Sequence, residues 1–351
     1  MSQAASKTNK RIMSGMRPTG RLHLGHYFGV LVNWVEFQSQ YDSYFSIVDW
    51  HALTTKYENS EEINRNVLEV ALDWLGAGID PEQCTLYVQS GVPEIAELHL
   101  LLSMLTKQNW VEREPTLKDM VKMLAANEEE AHDKLTYGML GYPVLMAADI
   151  LSFKGELIPV GKDQESHLEF ARNLARKFNS LYGQGKEIFP EPKPRFTETP
   201  LLKGIDGQKM GKSFNNDIKL ADTAEDTAAK VKKMITDRTR IAKSDPGHTD
   251  LCEVPWPFYN IFLPKESDAW LKVKTECETA QIGCVDCKKN LSVLINEYFA
   301  PIRERREKLV KDEAKLYQIL EHGNQKARKV AQATLKQVYE AMKMKNWSLN
   351  S

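Results

Sequence analysis

Near its start the chain runs from a short apolar stretch, Arg11 to Ser14, through a glycine loop, Gly15 to Gly20, into Leu22, Leu24, Phe28, Leu31, Val32 and Val35 at helical spacing. A buried strand that turns through glycines directly into a helix is the entry unit of a doubly wound α/β sheet. It presents the helix's first backbone N–H groups to an anion. Few other folds accept that order of elements. Tyr44 to Val48 reads as a second buried strand ending at Asp49-Trp-His51, and Thr85 to Gln89 as a third after Asp80-Pro81. Between them, Ile63, Val67, Ala71 and Leu75 mark a helix that Gly76 and Gly78 stop. Alternating strands and helices predict a parallel sheet.

Helical patterns fill 94–126, and a further helix carries Met146 and Asp149. Leu157 to Val160 reads as another strand, followed by a helix through Phe178. Pro190 to Pro200, with four prolines, reads as a connector. Beyond it the chain turns largely helical, at 219–235, 267–279, 290–320 and 324–344. The expected fold is α/β, a Rossmann-like doubly wound parallel sheet with a mainly helical C-terminal domain. Its expected parts are a disordered tail at 1–10, a catalytic domain at 11–205, and a lysine loop with a helical domain at 206–351.

Chemistry concentrates in two stretches. His23 and His26 stand at i and i+3 around Gly25, at the mouth of the first helix. There, imidazole N–H donors and the helix dipole suit triphosphate oxygens, and Gly25 lets an adenine approach the backbone. A zinc site would need a third ligand close by, and none stands near in sequence. Far downstream, Lys209-Met-Gly-Lys-Ser213 carries two lysines at i and i+3. A P-loop needs four residues between its glycines, and Gly207 and Gly211 enclose three. A mobile loop delivering two ammonium groups fits attack at an α-phosphate, which needs positioning and charge but no protein nucleophile.

In this order the two stretches resemble the His-x-Gly-His and Lys-Met-Ser-Lys-Ser signatures of the class I aminoacyl-tRNA synthetases. Gly141-Tyr-Pro-Val-Leu-Met-Ala-Ala-Asp-Ile150 and Ile158-Pro-Val-Gly-Lys-Asp-Gln-Glu-Ser-His167 resemble the amino-acid pocket of the bacterial tryptophanyl branch, and Val48 to Thr54 resembles a third segment. The resemblance spans nearly the whole chain, more weakly from 214 to 300. It implies activation of L-tryptophan with ATP and Mg²⁺, then transfer to tRNA(Trp). His23, His26, Lys209 and Lys212 would be the catalytic residues. ATP would be held by Arg17, Pro18, Thr19, Gly25, His26, Gly161, Lys162, Asp163, Leu201 and the loop Lys209, Met210, Gly211, Lys212 and Ser213. Tryptophan would be held by Asp149, Met146, Tyr142, Gln164, His51, Ile158 and Val160. Asp149 is the telling member: an indole nitrogen only donates and an ionised carboxylate only accepts. Gly211 departs from the family's middle serine, which removes a hydroxyl and is expected to loosen the loop.

Cys252, Cys277, Cys284 and Cys287 form C-x24-C-x6-C-x2-C. This pattern suits Zn(Cys)4 or a [4Fe–4S] cluster, and four unligated thiols stay open beside these. Some tryptophanyl enzymes carry such a cluster, so the resemblance favours iron–sulfur. The C-terminal helices bear Arg303, Arg305, Arg306, Lys308, Lys311 and Lys315 interleaved with Glu304, Glu307, Asp312 and Glu313. Salt-bridged surface is the plain reading; the resemblance makes this part anticodon-binding, with the tRNA held across a homodimer. A net charge of −1 makes no separate case for nucleic acid. No apolar run reaches the ~18 residues of a membrane span, so a cytoplasmic location without membrane contact is expected. The other class of function is a synthetase-like protein with a regulatory or redox-sensing role.

Overall fold

The computed structural model describes residues 7–114, 117, 135–161, 165–196 and 202–347, with the backbone alone at 165–167. Five parallel strands form one sheet: β1 (Thr8–Met16), β2 (Tyr41–Ile47), β3 (Thr85–Val88), β4 (Leu157–Val160) and β5 (Lys193–Phe196), in the order β3-β2-β1-β4-β5. The chain winds outward from β1 through β2 to β3, then crosses back to lay β4 on the other side of β1. The strand order reverses between β1 and β4, and the crevice beyond their C-terminal ends is where such sheets bind ligands.

Alternation along the strands sorts the core into two layers. Ile12, Phe45, Ile47 and Leu86 face Trp34 of the Val32–Gln40 helix and Trp74 of the Ser60–Ala77 helix. Trp34 lies flat on Phe45 at 4.5 Å between ring centroids. Met13, Tyr44 and Tyr87 face the helices Glu94–Ser103, Tyr137–Ser152 and Glu165–Tyr182, with Phe153 packed on both tyrosine rings.

Several expectations shift. β1 begins at Thr8, inside the stretch expected as a disordered tail, because Thr8 pairs with Tyr41 and its hydroxyl donates to Gln40 O at 3.3 Å. The proline-rich connector contains β5: its one proline, Pro194, fits an edge strand, where one side of the backbone needs no ladder partner. Of the helix expected over 219–235 only Ala224–Lys232 forms, capped by the Thr223 hydroxyl on Asp226 N. Within the expected 94–126 helices, Glu94–Ser103 and Gln108–Glu112 form, and most of the remainder lies outside the described residues.

The C-terminal helices break elsewhere than between 320 and 324, where the expected pair had its gap. Cys284–Val310 ends ahead of Asp312, which caps the next helix, Glu313–Met342, by accepting from Lys315 N at 3.1 Å. Gly323 therefore sits inside a helix, where it costs stability on propensity alone. Its reason is tertiary: the helix crosses edge strand β3 so closely that a Cβ at 323 would lie 1.7 Å from Leu86 O. Next to it, Asn324 Oδ1 accepts from Val88 N at 2.9 Å, covering the open edge. The C-terminal helices thus share both layers of the core with the sheet, through Leu291, Ile295 and Phe299 on one side and Ala331, Leu335 and Val338 on the other. Gly323→Ala should destabilise the fold by about 3 kcal/mol, the upper end of ordinary overpacking. A thermal unfolding midpoint equal to that of the unchanged protein would contradict this packing.

Candidate active site

One cavity of about 880 Å³ opens at the β1/β4 switch point. That is toward the upper end for small-molecule sites. One part of its wall comes from the end of β1 and the loop and helix after it: Ser14, Gly15, Arg17, Thr19, Gly25 and His26. Another comes from Tyr142, Met146 and Asp149 on the Tyr137–Ser152 helix and from Ile158, Val160 and Gly161 on or just after β4, with His51 and Lys209 also lining it.

The histidines are fixed by backbone donors. His23 Nδ1 accepts from Gly25 N at 3.1 Å and His26 Nδ1 accepts from His23 N at 3.3 Å. With both Nδ1 atoms accepting, each neutral ring carries its proton on Nε2, a donor with no hydrogen bond among the described residues. Burial pushes His23 down to about 4 and His26 down to about 3, with Lys212 adding to both. Both rings are therefore uncharged donors at neutral pH. Gly25 is required at this point, because a Cβ there would stand 2.9 Å from the His23 ring. Arg17, whose pKa burial lowers from the usual guanidinium range, donates to the Thr55 hydroxyl, while its buried Nε has no hydrogen-bond partner among the described residues.

The lysine loop is stitched to this segment by backbone. Leu24 N donates to Ile218 O at 2.9 Å and Leu220 N to Leu22 O at 2.9 Å, so the residues after the loop run antiparallel to His23. Lys212 Nζ consequently donates to Gly20 O at 2.7 Å and to the Thr19 hydroxyl at 3.3 Å, and burial pushes it down to about 8. Buried Asn216 organises the loop: its Oδ1 accepts from Gly211 N at 2.9 Å, and its Nδ2 donates to Asp206 Oδ1 at 2.8 Å and Lys209 O at 3.1 Å. Gly211 is extended, at φ −167° and ψ 145°, a conformation any residue adopts. The loop is thus held from its backbone by Asn216 despite the missing serine hydroxyl.

At the pocket end Asp149 is 2 % exposed. Gln89 Nε2 donates to Oδ1 at 2.7 Å and to Oδ2 at 2.9 Å, and His51 Nε2 stands 2.8 Å from Oδ2. A carboxylate has about four acceptor positions, so these contacts leave one for a further donor. Buried without such partners, its charge would be costly.

The fold therefore brings Arg17, Thr19, Gly25, His26, His51, Tyr142, Met146, Asp149, Ile158, Val160, Gly161 and Lys209 onto one cavity. His23 and Lys212 stand beside it, Met210 is buried in the core below, and Pro18, Gly211 and Ser213 do not line it. Lys162, Asp163, Gln164 and Leu201 lie outside the described residues. Sequence reading missed Gln89 and Asn216. Gln89 had a signal, since it directly follows β3 at the ligand-binding edge of the sheet. Asn216 had none beyond nearness to the lysines.

The four cysteines of the C-terminal part come from the loop before the Pro255–Phe262 helix, the end of Asp268–Glu278 and the first turn of Cys284–Val310. Burial pushes Cys252 up to about 11 and Cys287 up to about 12, and neighbouring cysteines add to both. Arg240 Nη1 lies 4.0 Å from Cys284 Sγ, and the Arg240 charge lowers Cys277 against the effect of its burial. Among the described residues, no group of three or more His, Cys, Asp or Glu side chains is spaced to hold a metal ion. No helix among them is long and apolar enough to cross a membrane.

Residues 5–300 match the family described as tRNA synthetases class I (W and Y). The tryptophan–tRNA ligase of Thermotoga maritima is 42% identical over 336 residues, covering 95% of this chain and 99% of that protein. The tryptophan–tRNA ligase of Aquifex aeolicus is 39% identical over 398 residues, covering 95% and 100%. Among solved structures, the tryptophanyl-tRNA synthetase of Campylobacter jejuni complexed with ADP and tryptophan superposes with a TM-score of 0.85 at 34% identity, over 95% of this chain and 100% of that one. The tyrosyl-tRNA synthetase of Archaeoglobus fulgidus, at 21% identity and a TM-score of 0.60, shares the fold.

Proposed function

The chain belongs to the class I tRNA synthetases of the W and Y group, and from that premise we propose that it is a tryptophan–tRNA ligase. One observation carries the reading. Buried Asp149, held by Gln89 and His51, shares a cavity with His26 and Lys209, so an indole acceptor and phosphate donors face a common space.

In the first step a tryptophan carboxylate oxygen attacks the α-phosphorus of ATP, and the bond to the β-phosphate oxygen breaks to release pyrophosphate. Mg²⁺ enters with ATP as part of the substrate. Asp149 accepts the indole N–H, Met146 supplies a polarisable contact to the ring, and Ile158 and Val160 close the apolar wall. The neutral Nε2–H groups of His23 and His26 donate to phosphate oxygens, with Arg17 beside them. Lys209 and Lys212 offset the charge that builds on the phosphates, which is the main demand of such a transfer. In the second step a hydroxyl of the terminal adenosine of tRNA(Trp) attacks the tryptophanyl carbonyl and AMP leaves. Roles for Tyr142 and Gln164 at the α-amino group, for Gly161, Lys162 and Asp163 at the ribose, and for Leu201 at the adenine belong to the same proposal. So do an anticodon-binding helical part, a homodimer and a cytoplasmic location. Tryptophan-dependent exchange of pyrophosphate into ATP tests the reading. Exchange supported by tyrosine instead would overturn the specificity, and none with any amino acid would overturn the activity.

Cys252, Cys277, Cys284 and Cys287 fit an iron–sulfur cluster by their chemistry. Four thiols from three segments lie near enough to act on one another's charge, and Arg240 stands by to offset thiolate charge. Because they are not at ligand spacing, they would draw together on binding. Such a group would tie the segments to one another, apart from the adenylation chemistry. Iron and sulfide should be found in anaerobically purified protein; iron, sulfide and zinc all absent would remove the idea.

A further inference from the structure

The adenylation residues stand on a loop that is braced from below by a buried ion pair. Asp73 is fully buried on the Ser60–Ala77 helix. Its Oδ2 accepts from Leu22 N at 2.7 Å, and its Oδ1 accepts from Arg306 Nε at 2.8 Å. Arg306, on the Cys284–Val310 helix, has a side chain only 11% exposed and also pairs with Glu69. Glu69 in turn takes Arg21 Nε at 3.0 Å. Arg305 Nε donates to Gly76 O at 2.8 Å, and a Cβ on Gly76 would stand 3.1 Å from Arg306 Cβ, so the two helices meet closely.

We propose that the Arg306–Asp73 pair is a positioning device for the adenylation site, by which the C-terminal helix holds the Leu22 amide and, through it, His23. This rests on the synthetase reading. A buried ion pair is costly to assemble, and an apolar pair of similar volume can join two helices as well. What an apolar pair cannot supply is an acceptor for the buried Leu22 N–H, which would otherwise be orphaned. Leu22 is held at both backbone groups, by Asp73 on N–H and by Leu220 N on its carbonyl. The residue next to it is His23, so a shift of Leu22 displaces the phosphate donor directly.

Asp73 also acts through space. Its carboxylate and that of Asp217 favour the Lys212 ammonium, against burial and against the like charge of Lys219. Burial and Glu69 work against the Asp73 charge, while Arg306 and the Leu22 N–H favour it. Removing Arg306 would leave the carboxyl to take up a proton, and both the brace and its field at Lys212 would weaken together.

The test compares the unchanged protein, the paired variant Asp73→Leu with Arg306→Met, and Asp73→Asn, which keeps one acceptor oxygen but no charge and turns its NH2 toward either the Leu22 N–H or Arg306 Nε. The folded paired variant should lose up to about 100-fold in kcat for pyrophosphate exchange, the cost of a roughly 1 Å misplacement, while its KM for tryptophan stays put. Asp73→Asn, which leaves the Leu22 N–H or Arg306 Nε facing another donor, should lose less of kcat than the paired variant, which has no acceptor at all. In both, the alkaline limb set by Lys212 should move down by about 1 pH unit, as expected for loss of a nearby opposite charge. A folded paired variant with unchanged kcat and an unmoved limb would overturn the proposal. Should that variant not fold, the limb of Asp73→Asn decides: moved, it supports the device; unmoved, it overturns it. Absence of exchange in the unchanged protein would overturn the synthetase reading, and this inference with it.

Discussion

Asp149→Asn is expected to lower kcat/KM for tryptophan on the order of 100-fold, with the KM for ATP little changed. Gln89 donates to both oxygens of Asp149, and His51 Nε2 meets Oδ2. An asparagine offers one acceptor oxygen and one donor NH2, so at least one of these donors would face another donor. The indole N–H would lose a charge-assisted bond, worth about 3 kcal/mol at the upper end, which corresponds to a factor of more than 100. The phosphate donors stand on other elements, the loop after β1 and the lysine loop, and keep their positions. Exchange kinetics with tryptophan and ATP varied separately would read the two effects. An unchanged kcat/KM for tryptophan would remove Asp149 from its role.

Lys212→Ala is expected to cost about 10²- to 10³-fold in kcat for exchange, the usual loss when one donor to developing charge is removed. KM for tryptophan should hold, because Lys212 reaches Thr19 and Gly20 and does not touch the amino-acid wall. The pH dependence has a definite sign. Burial lowers this lysine to about 8, and the working form is the ammonium. The rate constant kcat/KM for ATP, which reports the free enzyme, should be at its plateau below pH 8 and fall as pH rises through it. The limb of kcat should lie higher, since bound phosphate favours the charged form. Lys212→Arg keeps a cation throughout this range, so its kcat/KM should lack the limb near 8. An Arg variant with the limb intact would assign that limb to another group.

How much was legible follows from how far each signal reaches along the chain. The strand–glycine–helix entry, the parallel sheet and the histidine and lysine pairs are written in neighbouring residues, and the entry unit and parallel sheet form, with β1 starting earlier at Thr8 and β5 added at the edge. Gly323 shows the limit. Read locally, a glycine between two charged helical stretches is a stop; in the fold it is the point where a continuous helix grazes Leu86. β5 shows the reverse, since four prolines signal a connector, yet one of them, Pro194, lies in a strand whose edge position makes it acceptable. Asn216 was invisible as a site residue and Gln89 carried only its place after β3, because their partners, Gly211 N and Asp149, come near only when loops and strands are assembled.

By itself the sequence determined the chemical parts: two histidines at a helix mouth, two lysines on a glycine-bearing loop, and a carboxylate in an apolar run. Spacing within one turn or one strand suffices to place such groups on a common element. Only the tertiary structure decided their working state. Neutral Nε2–H donors on both histidines, a lysine pushed down to about 8 and a carboxylate held by Gln89 all depend on burial and on partners distant in the chain. Solvation and hydrogen bonding set ionisation, and both are properties of a packed interior.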